Sequence, residues 1–190
     1  MDKVEAYWAK HFPSMAPVGW DLRSSLPDRW VRFHSLPGSK RYPESKKDRA
    51  IVAERATALA KAVLGDHGPF YLLAYVYEPD PDLPFTVTPQ WRYHGAALTE
   101  AFRGPEDSED DAATIVVFTG EVSSLGKPFE EAVLGIAEER SARALWVSPK
   151  VPAVFAPYDG GFDIITAKPQ DIPPLRQTFK KWLSKHPEGL

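Results

Sequence analysis

Between Trp30 and Tyr42 the chain carries Arg32, His34, Lys40 and Arg41, basic side chains bracketed by two aromatic rings. Arginine presents a planar fork of donors matched to carboxylate and phosphate, and lysine a compact point charge. Aromatic surface beside such cations is enriched among interface anchors and also serves for base stacking. Pro43 follows, a residue suited to the first turn of a helix because the N–H it lacks would have no partner there. The spacing predicts a basic connection running into a helix N-terminus, where free N–H groups and the helix dipole favour an anion. The competing reading is a solvated turn in which Arg32 or Arg41 pairs with a carboxylate of the same chain, the commoner fate of surface charge.

A second candidate group is Tyr158, Asp159 and Asp163 around the pair Gly160-Gly161. Asp159 and Asp163 could offer oxygens to a divalent ion, but aspartates beside a glycine turn more often bond the local backbone, so no metal is expected. The stretch from Gly120 to Pro128 imitates a phosphate-binding loop and fails twice. Five residues separate its glycines, and Pro128 stands where the magnesium-binding hydroxyl belongs. The histidines, His11, His34, His67, His94 and His186, never stand at i, i+4 spacing. Ser35 beside His34 points to the opposite face of a strand, so the two form no dyad, and no Gly-x-Ser-x-Gly elbow is present. With no cysteine in the chain, thiolate nucleophiles, disulfides and Cys-ligated zinc are excluded. The expectation is a protein without a catalytic residue or a cofactor. Two acidic segments, Glu78, Asp80 and Asp82, then Glu106, Asp107, Glu109, Asp110 and Asp111, would steer a basic partner.

These groups need a scaffold. Alternation from Trp30 to Ser35 predicts a strand with Trp30, Arg32 and His34 on one face and Val31, Phe33 and Ser35 on the other. Pro37-Gly38 breaks it, and Val52, Ala56, Leu59 and Val63 then form the stripe of a long helix over 44–64 that Gly65 closes. The apolar run from Phe70 to Tyr77 predicts a central strand buried on both faces. Trp91 to Tyr93 predicts a short strand, and Arg103-Gly104-Pro105 an exposed connection. Strands follow at 114–119, 144–147, 153–156 and 162–166, the last two joined as a hairpin through Tyr158-Asp159-Gly160-Gly161. Phe129, Ala132, Val133 and Ile136 stripe a helix between the first two. A closing helix after Asp171 turns Leu175, Phe179, Trp182 and Leu183 inward. Upstream, Val4, Trp8 and His11 share the face of a short helix ended by Pro13. An ordered loop over 17–28 is expected to be anchored by Trp20, Leu22 and Leu26.

The chain has 190 residues, 43% of them hydrophobic and 26% charged, with a net charge of -3. That profile predicts one globular domain over 1–190, with 1–29 as an N-terminal helix and arm and 30–190 as sheet and helices. The class expected is α+β: a mixed, largely antiparallel sheet packed against the long helix and the C-terminal helix. The small charge speaks against general nucleic-acid binding. The charged amino terminus and the lack of a long apolar run predict a cytoplasmic location without membrane association.

The segments His34-Ser35-Leu36-Pro37-x-Ser39-Lys40-Arg41-Tyr42-Pro43, Pro157-Tyr158-Asp159-Gly160-Gly161-x-Asp163 and Trp182-Leu183-Ser184-x-His186-Pro187-x-Gly189-Leu190 resemble those of a family of small uncharacterised bacterial proteins. Proteins of that size and organisation are in turn similar to the immunity proteins that guard bacteria against their own polymorphic toxins. The resemblance implies a non-catalytic binding protein with a protein partner, a toxin whose active site it covers. The alternative is an anion- or nucleotide-handling enzyme, or a small-ligand domain, working through the Arg32 to Tyr42 loop.

Overall fold

Alternation along the strands assigns almost every apolar residue of the sheet to one of two cores. The computed structural model describes residues 3–78, 90–105 and 114–184. Its strands are β1 (Trp30–His34), β2 (Phe70–Glu78), β3 (Gln90–Tyr93), β4 (Ala96–Pro105), β5 (Thr114–Val122), β6 (Arg143–Ser148), β7 (Val151–Tyr158) and β8 (Gly161–Ile165). They form one 8-stranded sheet in the order β1-β8-β7-β6-β2-β5-β4-β3. The fold is α+β as expected, and every pairing among the described strands is antiparallel.

Leu72, Ala74 and Val76 of β2, with Val116, Phe118, Trp146, Phe155, Phe162 and Phe33, point to one face. That face is covered by helices α3 (Lys46–Leu64), α4 (Lys127–Ala137) and α5 (Ile172–Thr178). Leu73, Tyr75, Ile115, Val117, Leu145, Val147, Val154 and Ile165 point to the other, under α1 (Lys3–His11) and α2 (Gly19–Ser25). Burial of each large apolar side chain contributes about 1.5–3 kcal/mol. The strongly apolar β2 thus sits mid-sheet with both faces covered.

Several local elements depart from expectation. Residues 19–25 are helical, followed by a 3₁₀ turn over Pro27–Arg29. Val18, Leu22 and Leu26 recur every four residues, and the first two are fully buried, so tertiary burial fixes a helix too short to stand alone. The helix α3 starts at Lys46, not 44. Ser45 caps it, its side chain accepting from the Asp48 N–H while Asp48 accepts from the Ser45 N–H. Pro43 therefore precedes the cap. Arg103-Gly104-Pro105 is the end of β4, paired with β5. A bulge between Glu100 and Phe102 breaks its alternation, which hides the strand from a period-2 reading. The closing helix is only seven residues long, then tightens into a 3₁₀ turn over Lys180–Trp182. Leu183 bridges to Phe33 at the outer edge of β1.

Candidate binding site

The antiparallel register of β1 with β8 sets Arg32 directly opposite Asp163, on the sheet face that carries α2. Arg32 Nε donates to Asp163 Oδ1 at 2.8 Å and Nη2 donates to Oδ2 at 2.9 Å, the bidentate geometry that makes Arg–carboxylate pairs strong. Trp30 Nε1 donates to the same Oδ1 at 2.9 Å. The guanidinium lies over the Tyr158 ring at 4.5 Å and near the Trp30 ring at 5.4 Å. The two side chains are 12% and 7% exposed, so this is a buried pair. Burial works against the Arg32 charge, but the hydrogen bonds to Asp163 outweigh it and hold the guanidinium above its usual pKa. Burial likewise pushes the Tyr158 phenol up, keeping it a neutral donor.

The loop after β1 is held by its own carboxylates. Gly38 (φ 68) and Ser39 (φ 58) take left-handed conformations that reverse the chain, and Ser39 Oγ lies 3.3 Å from His34 Nε2. Burial, then the Arg32 and Arg55 charges, lower the His34 pKa. Lys40 Nζ donates to Glu44 at 3.0 Å and to Asp48 at 2.8 Å. Asp48 also accepts from the Glu44 and Ser45 backbone N–H groups. The Lys40 bond first, then the Glu44 backbone N–H and the Ser45 side chain, bring the Asp48 pKa down to about 2 despite opposing desolvation. The chain thus places its own carboxylate, Asp48, at the helix N-terminus where the residue spacing predicts an external anion. Arg41 pairs with Asp159 of the β7–β8 turn and lies 5.3 Å from the Tyr42 ring. Tyr42, 38% exposed, donates its hydroxyl to Glu139 at 3.3 Å.

Of the candidate residues, Arg32, Arg41, Tyr42, Tyr158, Asp159 and Asp163 gather at one end of the β1–β8–β7 edge. Lys40 turns instead to α3, and His34 to Ser39. Asp163 serves a cross-strand ion pair with Arg32 and Asp159 an ion pair with Arg41 of the loop after β1, not the local turn bonds expected of them. Gly160, at φ 109, takes the left-handed conformation that suits a glycine in a hairpin turn. Gly161 is required for another reason: a Cβ there would lie 2.5 Å from the Phe33 carbonyl oxygen and 2.6 Å from the Tyr158 hydroxyl.

Behind this edge lies a cavity of about 150 Å³ between α2 and the sheet, lined by Arg32, Tyr158 and Asp163 together with Trp20, Tyr75 and Arg143. Tyr75 and Arg143 escaped sequence analysis, because only the β2–β6 register, which pairs them, brings them here. Glu78 forms an ion pair with Arg103. Asp80, Asp82, Glu106, Asp107, Glu109, Asp110 and Asp111 lie outside the described residues. The described strand ends that flank them, Glu78 and Thr114, pair with each other at the same end of the sheet as Arg143 and Tyr158. No group of three His, Asp or Glu among the described residues is placed to hold a metal ion. No helix among them is long and apolar enough to cross a membrane.

A family model described as a domain of unknown function, DUF3885, matches residues 18–187. No match was found among curated proteins or among solved structures.

Proposed function

We propose that this chain, which belongs to the DUF3885 family, is a non-catalytic binding protein that holds a protein partner against the end of the β1–β8–β7 edge. The observation that supports this reading is the bracing of the loop around Tyr42. Arg32–Asp163, Lys40–Asp48 and Arg41–Asp159 fix the backbone on three sides, and an aromatic ring is left half in solvent beside an arginine. Preorganisation of that kind lowers the ordering cost of association, and Tyr and Arg are favoured anchors. In its immunity form, the proposal is that the partner is a toxin whose active site this surface covers, within the cytoplasm. The acidic segments that begin at Glu78 and at residue 106 would then speed encounter with a basic partner without supplying the affinity.

The test is affinity capture from the native bacterium, run in parallel with wild type and with the Arg41→Ala, Tyr42→Ala variant. The proposal expects one protein captured by wild type and lost from the variant. Equal capture by both would refute the assigned surface. Turnover of phosphorylated or glycan substrates by the purified protein would favour the enzymatic alternative.

A further inference from the structure

We infer that the cavity between α2 and the sheet is a binding site for a small carboxylate, held by Arg32 and Arg143 between aromatic walls. The first support is a count of donors. A guanidinium has five N–H groups, and Arg32 spends one from Nε and one from Nη2 on Asp163. Its other N–H groups donate to no acceptor among the described residues, and Arg32 lines the cavity. The second support is charge. Asp163 is matched by Arg32 and Asp159 by Arg41, whereas Arg143 takes part in none of the ion pairs among the described residues. Arg143 instead stands opposite Tyr75 across the β2–β6 register. Arg143 is thus a cation at the cavity wall matched by no carboxylate among the described residues, and Arg23, 5.9 Å from the Trp30 ring, adds a second nearby.

The third support is shape. The Tyr158 ring lies 4.5 Å from the Arg32 guanidinium, and Trp20 and Tyr75 complete an aromatic lining. A planar carboxylate suits two planar forks. A phosphate dianion suits the site less well, because its second charge would sit against the Asp159 and Asp163 carboxylates that line the cavity. The volume of about 150 Å³ equals roughly five waters at ~30 Å³ each. That is room for a carboxylate on a short stem and not for a nucleotide. The carboxylate could belong to a free molecule or to a glutamate side chain of a partner seated on the rim. The site itself does not depend on whether such a partner exists.

The experiment is titration of the full chain at constant ionic strength with sodium benzoate, acetyl-glutamate amide and inorganic phosphate, followed by calorimetry and by NMR of the arginine Nε–H groups. Saturable binding of benzoate or of the glutamate amide is expected, with Kd near ~1 mM or tighter, moving the Arg32 and Arg143 resonances. The tighter of the two identifies the source, free acid or partner side chain, and either order supports the site. Arg143→Gln, a change at an exposed residue, should weaken binding about tenfold or more with an unchanged thermal midpoint. Arg92→Gln on β3 should leave binding intact. No saturable shift with either carboxylate, phosphate binding as tight as the better carboxylate, or full affinity in Arg143→Gln would each overturn the inference.

Discussion

Asp163→Ala is the perturbation that tests most sharply how this end of the sheet is held. It removes the acceptor of two Arg32 hydrogen bonds and of the Trp30 indole N–H, leaving a guanidinium only 12% exposed without a counter-charge. Breaking one side of a buried pair costs about 3–5 kcal/mol. For a chain of this length each kcal/mol moves the thermal midpoint by about 2–4 °C, so a fall of roughly 6–20 °C is expected. The assay is urea and thermal unfolding of wild type, Asp163→Ala, Arg32→Leu and the double variant Arg32→Leu, Asp163→Leu. The double variant should recover much of the loss, because an apolar pair leaves no charge stranded. A cost for Asp163→Ala below about 1 kcal/mol, the value of an exposed pair, would refute the burial on which the site's rigidity rests.

Gly161→Val should lower unfolding stability by about 1–3 kcal/mol or more through overpacking against the Phe33 carbonyl and Tyr158 hydroxyl, measured by urea unfolding; a wild-type value would contradict the close approach of β1 and β8. Asp48 has a folded pKa of about 2 against about 3.9 unfolded. Its contribution is therefore complete above the unfolded value and is lost as pH falls through the folded one. Asp48→Asn should accordingly be less stable at neutral pH, with the gap to wild type closing between pH ~4 and ~2. A gap independent of pH in thermal melts would contradict the capping role.

Elements with a strong repeat of their own were legible without the structure. The central strand β2, the α3 stripe and the 158–161 hairpin stand where periodicity and glycine chemistry place them. Cross-chain events were not. Nothing local to Arg32 or Asp163 announces their register, since β1 and β8 are separated by most of the sequence, and Arg143 joins the cavity only through β6 lying beside β2. The α3 boundary shifted because the Ser45–Asp48 capping box outweighed Pro43 as a start signal. Helix α2 escaped because seven residues cannot complete a convincing 3.6-residue pattern.

The central claim is that the braced surface around Tyr42 holds a partner. Its most direct test is the dissociation constant of the captured protein for wild type and for Tyr42→Ala, measured by calorimetry with circular dichroism as the folding control. A side chain 38% exposed whose hydroxyl makes one 3.3 Å bond can be truncated with little effect on the fold. The account predicts an unchanged spectrum and thermal midpoint with affinity weakened at least about thirtyfold, the ~2 kcal/mol of an anchor residue. Equal affinity in a folded Tyr42→Ala protein would contradict it.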